Sequence, residues 1–137
     1  MTVVVDTDVV LDALLARTPF EIDAAKLFAA SETGKIEGFL CATAITNVHY
    51  IARKAVGTKQ ASRLIGELLA IFQIASVTHS ILKSAQALGF ADFEDAVLHE
   101  SAAAINAQAI VTRNVSDFSK ATIPVYEPSQ LVSFLGL

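Results

Sequence analysis

Residues 2–12 read TVVVDTDVVLD. The three consecutive valines are β-branched, which favours a strand. No polar residue alternates with them, so both faces of that strand are covered. The run ends on Asp6 and Asp8, so a buried strand finishes on carboxylates. Residues 109–118, AIVTRNVSDF, repeat the arrangement: a short apolar run gives way to Thr112, Arg113, Asn114, Ser116 and Asp117. Strands apolar on both faces belong to parallel sheets, and in an open parallel sheet ligands gather beyond the carboxyl ends of the strands. If the two strands are neighbours, their polar ends share one edge.

Working outward, the remaining segments alternate in type. Val3–Val5 is followed by a short helix over Asp8–Leu15 and a second over Pro19–Ser31, with Pro19 near its first turn and Gly34 beyond its end. Ile36–Cys41 reads as a strand and Thr43–Lys54 as a helix. Gly57 and Thr58 then offer a stop and a new N-cap. In the helix that follows, Ala61, Leu64, Ile65, Leu68 and Leu69 form one apolar stripe. A strand around Phe72–Val77, helices over Ser80–Leu88 and Asp92–Asn106, and a strand over Ala109–Thr112 come next. A short strand at Pro124–Tyr126 and a helix over Ser129–Leu135 close the chain. The pattern predicts a three-layer α/β/α sandwich around a central, mainly parallel sheet of four or five strands. At 137 residues the expectation is one domain over 1–137.

Hydrophobic residues make up 53% and charged residues 18%, far from a disordered composition, and the apolar surplus points to self-association. No apolar run is long enough to span a bilayer and the N-terminus has no signal-peptide pattern, so a soluble, cytoplasmic protein is expected. Cys41 is the only cysteine, which excludes an intrachain disulfide and a thiolate cage; within GFLCA it reads as a small core residue. A net charge of −4 argues against a generic nucleic-acid coat but not against a nuclease whose acids are offset by cations.

A third acidic element is GFADFEDAVLHESAAA. Asp92 is a natural N-cap with Asp95 three residues on, close to a capping box. At 100° per residue Asp92, Asp95 and His99 share a narrow arc, with Glu94 pointing away. Asp117 and Asn114 are, by themselves, ordinary turn residues. Together the three elements present acids to a common pole, and clustered carboxylates with few histidines suit Mg²⁺ or Mn²⁺ rather than zinc. His49, His79 and His99 lack ligand spacing; the first two read as surface or packing residues, and His99 as a contact for water or phosphate. The six glycines form no phosphate loop and no serine sits in a GxSxG elbow. Arg53, Lys54, Lys59 and Arg63 cluster at a helix break, either a solvated face or a place for a phosphate backbone.

The whole set resembles a PIN domain over essentially the entire chain. VVVDTDVVLDALL is similar to that family's opening strand, whose terminal aspartate is a metal ligand, a place taken here by Asp6. DFEDAVLHESAAA followed by AIVTRNVSDF resembles the second half, with Asp95 as the helix aspartate and Asp117 as the last acid. Thr112 and Asn114 match polar positions beside it, and Asp92 an additional aspartate of the branch with the DFED form. One departure stands out: in TAITNVHYIARK, Asn47 occupies the position where the family usually has a glutamate.

The resemblance implies a metal-dependent endoribonuclease, commonly the toxin of a VapBC-type toxin/antitoxin pair. It assigns Mg²⁺ or Mn²⁺ to Asp6, Asp95 and Asp117, which are also the catalytic residues, with Asn47, Asp92, Thr112 and Asn114 orienting ligands and Arg113 touching the RNA backbone. It implies an antitoxin partner and a homodimer, for which Leu11, Leu14 and Leu15, read as exposed, are candidate contacts. Clustered carboxylates repel, so without metal at least one pKa is expected to be raised. A rival reading, favoured by Asn47, is a PIN-like RNA- or protein-binding module without catalysis. A third, a phosphatase using Asp6-Thr7-Asp8-Val9, lacks the rest of its pattern.

Overall fold

The computed structural model describes residues 1–137. Five strands, β1 (Thr2–Val5), β2 (Glu37–Cys41), β3 (Gln73–Ala75), β4 (Ala109–Val111) and β5 (Val125–Tyr126), form one sheet in the order β3-β2-β1-β4-β5. All four pairings are parallel. Seven α-helices connect them: α1 (Thr7–Leu14), α2 (Glu21–Glu32), α3 (Ala42–Val56), α4 (Thr58–Ile71), α5 (His79–Ala87), α6 (Phe93–Ala104) and α7 (Pro128–Leu135).

The central strand explains the layering. Side chains alternate across a strand, so Val3 and Val5 enter one core with residues of α1, α2, α3, α4 and α7, while Val4 enters the opposite core with α5 and α6. β4 divides in the same way, Ala109 and Val111 on one side and Ile110 on the other. These strand residues are fully buried, which is why the strands read as unbroken apolar runs. Burying a valine or leucine contributes roughly 1.5–3 kcal/mol, so the two cores dominate stability. Cys41 is buried as expected.

Local chemistry sets most boundaries. Gly57 sits at φ 88°, a conformation that favours glycine, and separates α3 from α4. A Cβ on Gly38 would collide with Ser31 and Phe72, so β2 needs glycine where α2 and the end of α4 close over it. Several expectations are corrected. α2 begins at Glu21, so Pro19 lies outside its first turn, and β3 is limited to three residues. In α4, Ala61, Leu64 and Leu68 face inward but Leu69 is half exposed, because the stripe is narrower than the spacing suggested. Leu11 is buried, and Leu14 and Leu15 are partly buried against the core, so they do not form an exposed apolar face. No helix is long and apolar enough to cross a membrane.

Candidate active site

β1 and β4 lie side by side in register, Val5 opposite Val111, at the point where the strand order reverses direction. α1 leaves β1 toward one face while the turn after β4 packs Phe118 into the core on the other, which opens a crevice. Asp6 N–H donates to the Val111 carbonyl at 2.9 Å, carrying the pairing one residue past the strand and bringing Asp6 beside Thr112. The crevice is a cleft of about 380 Å³ whose lining includes Asp6, Asp8, Asp92, Glu94, Asp95 and Asp117, with Arg17, Arg113 and Asn114.

Each acid is held by its own element. Asp6 is the N-cap of α1, accepting from Thr7 N–H at 2.7 Å, while the buried Thr112 hydroxyl donates to its other oxygen at 2.8 Å. The same hydroxyl accepts from Asn114 N–H at 3.0 Å. Asp92 is the N-cap of α6 and accepts from Asp95 N–H at 3.1 Å. Asp95 therefore lies in the first turn of α6, where the helix dipole tolerates a carboxylate. Asp117 is exposed on a 3-10 turn, Val115–Phe118, that follows β4.

The electrostatics follow from crowding. Burial, together with the Asp8 charge, raises Asp6 from 3.8 to about 6, although the Thr112 and Thr7 hydrogen bonds pull the other way. Asp95 is raised to about 7 by burial and then by Asp6, Asp92, Asp117 and Glu94, with no opposing contact among these causes. The expectation of a raised carboxylate is met at Asp6 and Asp95, and Asp8 is raised as well.

Asp8, noted in the sequence only as a strand-end acid, and Asp12 and Arg17, which the sequence did not single out, organise the rim. Asp8 accepts from Arg113 N–H at 3.1 Å and Asn114 Nδ2 at 3.3 Å, tying the segment after β4 to the start of α1; burial raises its pKa. Asp12, fully buried, accepts from Arg17 Nε at 2.8 Å and from Arg113 Nε at 2.6 Å and Nη2 at 3.2 Å. The hydrogen bond to Asp12 raises Arg113 above its ordinary value, and its guanidinium stacks over Phe20 at 4.0 Å. One aspartate thus fixes two guanidiniums at the edge of the acidic cleft. Arg17 and Arg113 are separated from each other by 96 positions, so only the folded chain reveals the triad.

Two expectations fail here. Glu94 lines the cleft together with Asp92 and Asp95, the N-cap and first turn of α6 all contributing to it. His99 does not reach it: the ring is buried, accepts from Thr122 N–H at 3.1 Å and packs against Phe90. Asn47 is partly buried on α3 and is not among the cleft residues, whereas Ile51, one turn further on, is.

The donors suit a hard divalent cation: all oxygen, from Asp6 and Asp95 with Asp117 nearby. No three acidic or histidine side chains stand close enough to enclose one ion as they are. Mg²⁺ is commonly held by one or two carboxylates, with waters and substrate phosphate completing its shell, and two repelling carboxylates meet that requirement.

A parallel α/β sheet with an acidic crevice at its switch point defines the class as an open α/β protein whose candidate site lies beyond the carboxyl ends of β1 and β4. The sequence pattern of the PIN domain matches residues 2–116, and the chain belongs to that family. No curated protein matches it in sequence. Among solved structures, a DNA-bound VapBC from Salmonella typhimurium is similar with TM-score 0.72 and 9% identity, over 93% of this chain and 98% of that one. A toxin–antitoxin complex from Klebsiella pneumoniae gives 0.70 and 20%, over 92% and 97%. A sarcin–ricin-loop-cleaving VapC toxin from Mycobacterium tuberculosis gives 0.68 and 14%, over 85% and 95%. At these identities the likeness concerns the fold.

Proposed function

We propose that this chain is a Mg²⁺- or Mn²⁺-dependent endoribonuclease that hydrolyses RNA phosphodiester bonds, acting in the cytoplasm as a single PIN unit. The observation that carries the reading is the pair Asp6 and Asp95, two carboxylates from different elements that line one cleft at the mouth of the sheet, Asp6 raised by burial and by Asp8, and Asp95 by burial and by Asp6. Such a pair is costly unless a cation neutralises it.

In this reading Asp6 and Asp95 would hold the cation, with Asp117 of the same cleft beside them. Bound there, a divalent cation would supply Lewis-acid chemistry toward a water and a phosphoryl group. Thr112 keeps Asp6 in one rotamer through its 2.8 Å hydrogen bond, and Asp92 fixes the start of α6 and hence Asp95. Asn114 and Arg113, anchored through Asp8 and Asp12, orient the substrate phosphate at the rim. A role in a toxin/antitoxin pair, with a small antitoxin as partner, is supported by a neighbour described as a toxin–antitoxin complex, and a homodimer by the apolar surplus of the sequence.

The test is calorimetric titration of Mn²⁺ into wild type and Asp6→Asn/Asp95→Asn, with cleavage of a mixed RNA pool followed in the same samples. Saturable binding and metal-dependent cleavage, both lost in the double variant, are the expected result. No binding at millimolar metal and no cleavage would replace this reading with a PIN-like module that works by contact alone.

A further inference from the structure

One charged surface lies outside the acidic cleft. Between Glu37 and Glu67 the chain has no acidic residue, yet it carries Arg53, Lys54, Lys59 and Arg63, four of the ten lysines and arginines. All four are exposed, at the end of α3 and the start of α4. Lys59 and Arg63 border a shallow cavity of about 410 Å³ with Val56, Gly57 and Thr58. On the same hairpin Tyr50 is 51% exposed, Ile51 38% and Val56 43%, although large apolar side chains usually turn inward. Lys54 Nζ lies 4.4 Å and Arg53 Cζ 5.7 Å from the Tyr50 ring centre, contacts that orient the ring while half its surface stays open. Ile51 joins this surface to the acidic cleft, since it lines that cleft.

The geometry points to a track for single-stranded RNA along the α3–α4 hairpin, in which Lys54, Lys59 and Arg63 hold backbone phosphates and Tyr50 stacks on a base before the strand enters the cleft at Ile51. This rests on the ribonuclease reading and adds to it the path by which the strand reaches the cleft. A second copy of the chain is a poor occupant, because a two-fold contact would bring two identical basic surfaces together. An open aromatic ring among cations matches a polyanion carrying flat apolar faces, and those faces are free only in unpaired nucleic acid.

The test measures binding without cleavage. Fluorescence anisotropy of a labelled mixed-sequence RNA of about 20 nucleotides is recorded in EDTA between about 50 and 200 mM KCl. Each phosphate contact on a single strand contributes about −0.7 to the slope of log K against log salt, so the Lys54→Gln/Lys59→Gln/Arg63→Gln variant should be shallower by about 2. Tyr50→Ala should lose about tenfold in affinity, within the range for one stacked base, and Tyr50→Phe should keep it. Poly-glutamate at equal charge should leave the RNA bound. An unchanged slope, full affinity in Tyr50→Ala, no wild-type binding, or displacement by poly-glutamate overturns the track; the last outcome would mark an acidic protein as the partner. Circular dichroism checks that these surface variants are folded. Mn²⁺-dependent cleavage is followed in parallel. Cleavage by wild type with a slope indifferent to the substitutions removes the track alone, whereas track-dependent binding without cleavage removes the nuclease reading alone.

Discussion

Replacing Asp95 by Asn should stabilise the metal-free protein above neutral pH. In the folded chain the Asp95 carboxyl is raised from 3.8 to about 7, so between those values the folded state holds a proton that the unfolded state has released. Its contribution to stability is therefore full below about pH 4 and is lost as pH rises through 7. Asparagine resembles the protonated form at every pH. Converted directly, a shift of roughly 3 units corresponds to about 4 kcal/mol. Asp95 is partly open to solvent, and it loses a favourable helix-dipole contact when neutralised; screening and that loss leave about 1 kcal/mol. With an unfolding entropy of about 2.1 cal/mol/K per residue, this is a rise of about 3 °C in Tm at pH 8.

The assay is thermal unfolding by circular dichroism in EDTA from pH 4 to pH 8, wild type beside Asp95→Asn, then repeated with Mn²⁺. The advantage of Asn should be absent at pH 4, grow to pH 7 and level off. With metal the order reverses: once Mn²⁺ exceeds its Kd, each tenfold increase adds about 1.4 kcal/mol to wild type and nothing to the variant. A lower Tm for metal-free Asp95→Asn at pH 8, or an equal metal response in both proteins, would refute the argument that these carboxylates repel one another to receive a cation.

Asp12→Ala should cost about 3 kcal/mol, the lower end for breaking a buried ion pair, because Arg17 and Arg113 remain 38% and 29% exposed and rehydrate; urea unfolding should show a lower midpoint with an unchanged m-value. Thr112→Val removes a buried hydroxyl bonded to Asp6 and Asn114, costing about 1–2 kcal/mol. Because that bond lowers the Asp6 pKa, the acid limb of Mn²⁺ binding should also move to higher pH, and Thr112→Ser should restore both. Asn47→Ala should leave the Mn²⁺ midpoint within about twofold, since Asn47 lies outside the cleft lining; a larger loss in calorimetry would place it at the metal. Gly38→Ala should destabilise by about 2 kcal/mol through overpacking against Ser31 and Phe72, read as a lower Tm.

What the sequence disclosed was local. Val3–Val5 and Ala109–Val111 are buried on both faces, which makes their composition sufficient to identify them, and Asp92 capping Asp95 spans three residues. The order of the strands turned on which polar ends meet, and the pairing of β1 with β4 answered it. Errors arose where helical angle alone stood for position. His99 shares the arc of Asp95 but lies a turn deeper along α6, where the second core begins. Glu94 points elsewhere on the helical wheel yet stands at its open end. The Asp8 and Asp12 contacts to Arg113 bridge more than a hundred residues, and no local periodicity encodes them.

Asn47 bears directly on the choice between enzyme and binding module, because a glutamate lost from the cleft would lower its charge. The structure changes the terms of that comparison. Asn47 is not in the cleft lining, and the start of α6 contributes Asp92, Glu94 and Asp95 together. Glu94 raises both Asp6 and Asp95, so its charge acts on the pair even without a direct contact. Arg17 and Arg113 bring two positive charges against the one of the buried Asp12, and Arg113 lowers Asp8, but neither is among the causes that set Asp6 and Asp95. A binding module for RNA would gain nothing from carboxylates that repel phosphate as well as one another. In the proposed nuclease a bound cation would shield the acids at the mouth of the sheet, and with Asn47 outside the lining their charge comes from β1, the start of α6 and the turn after β4.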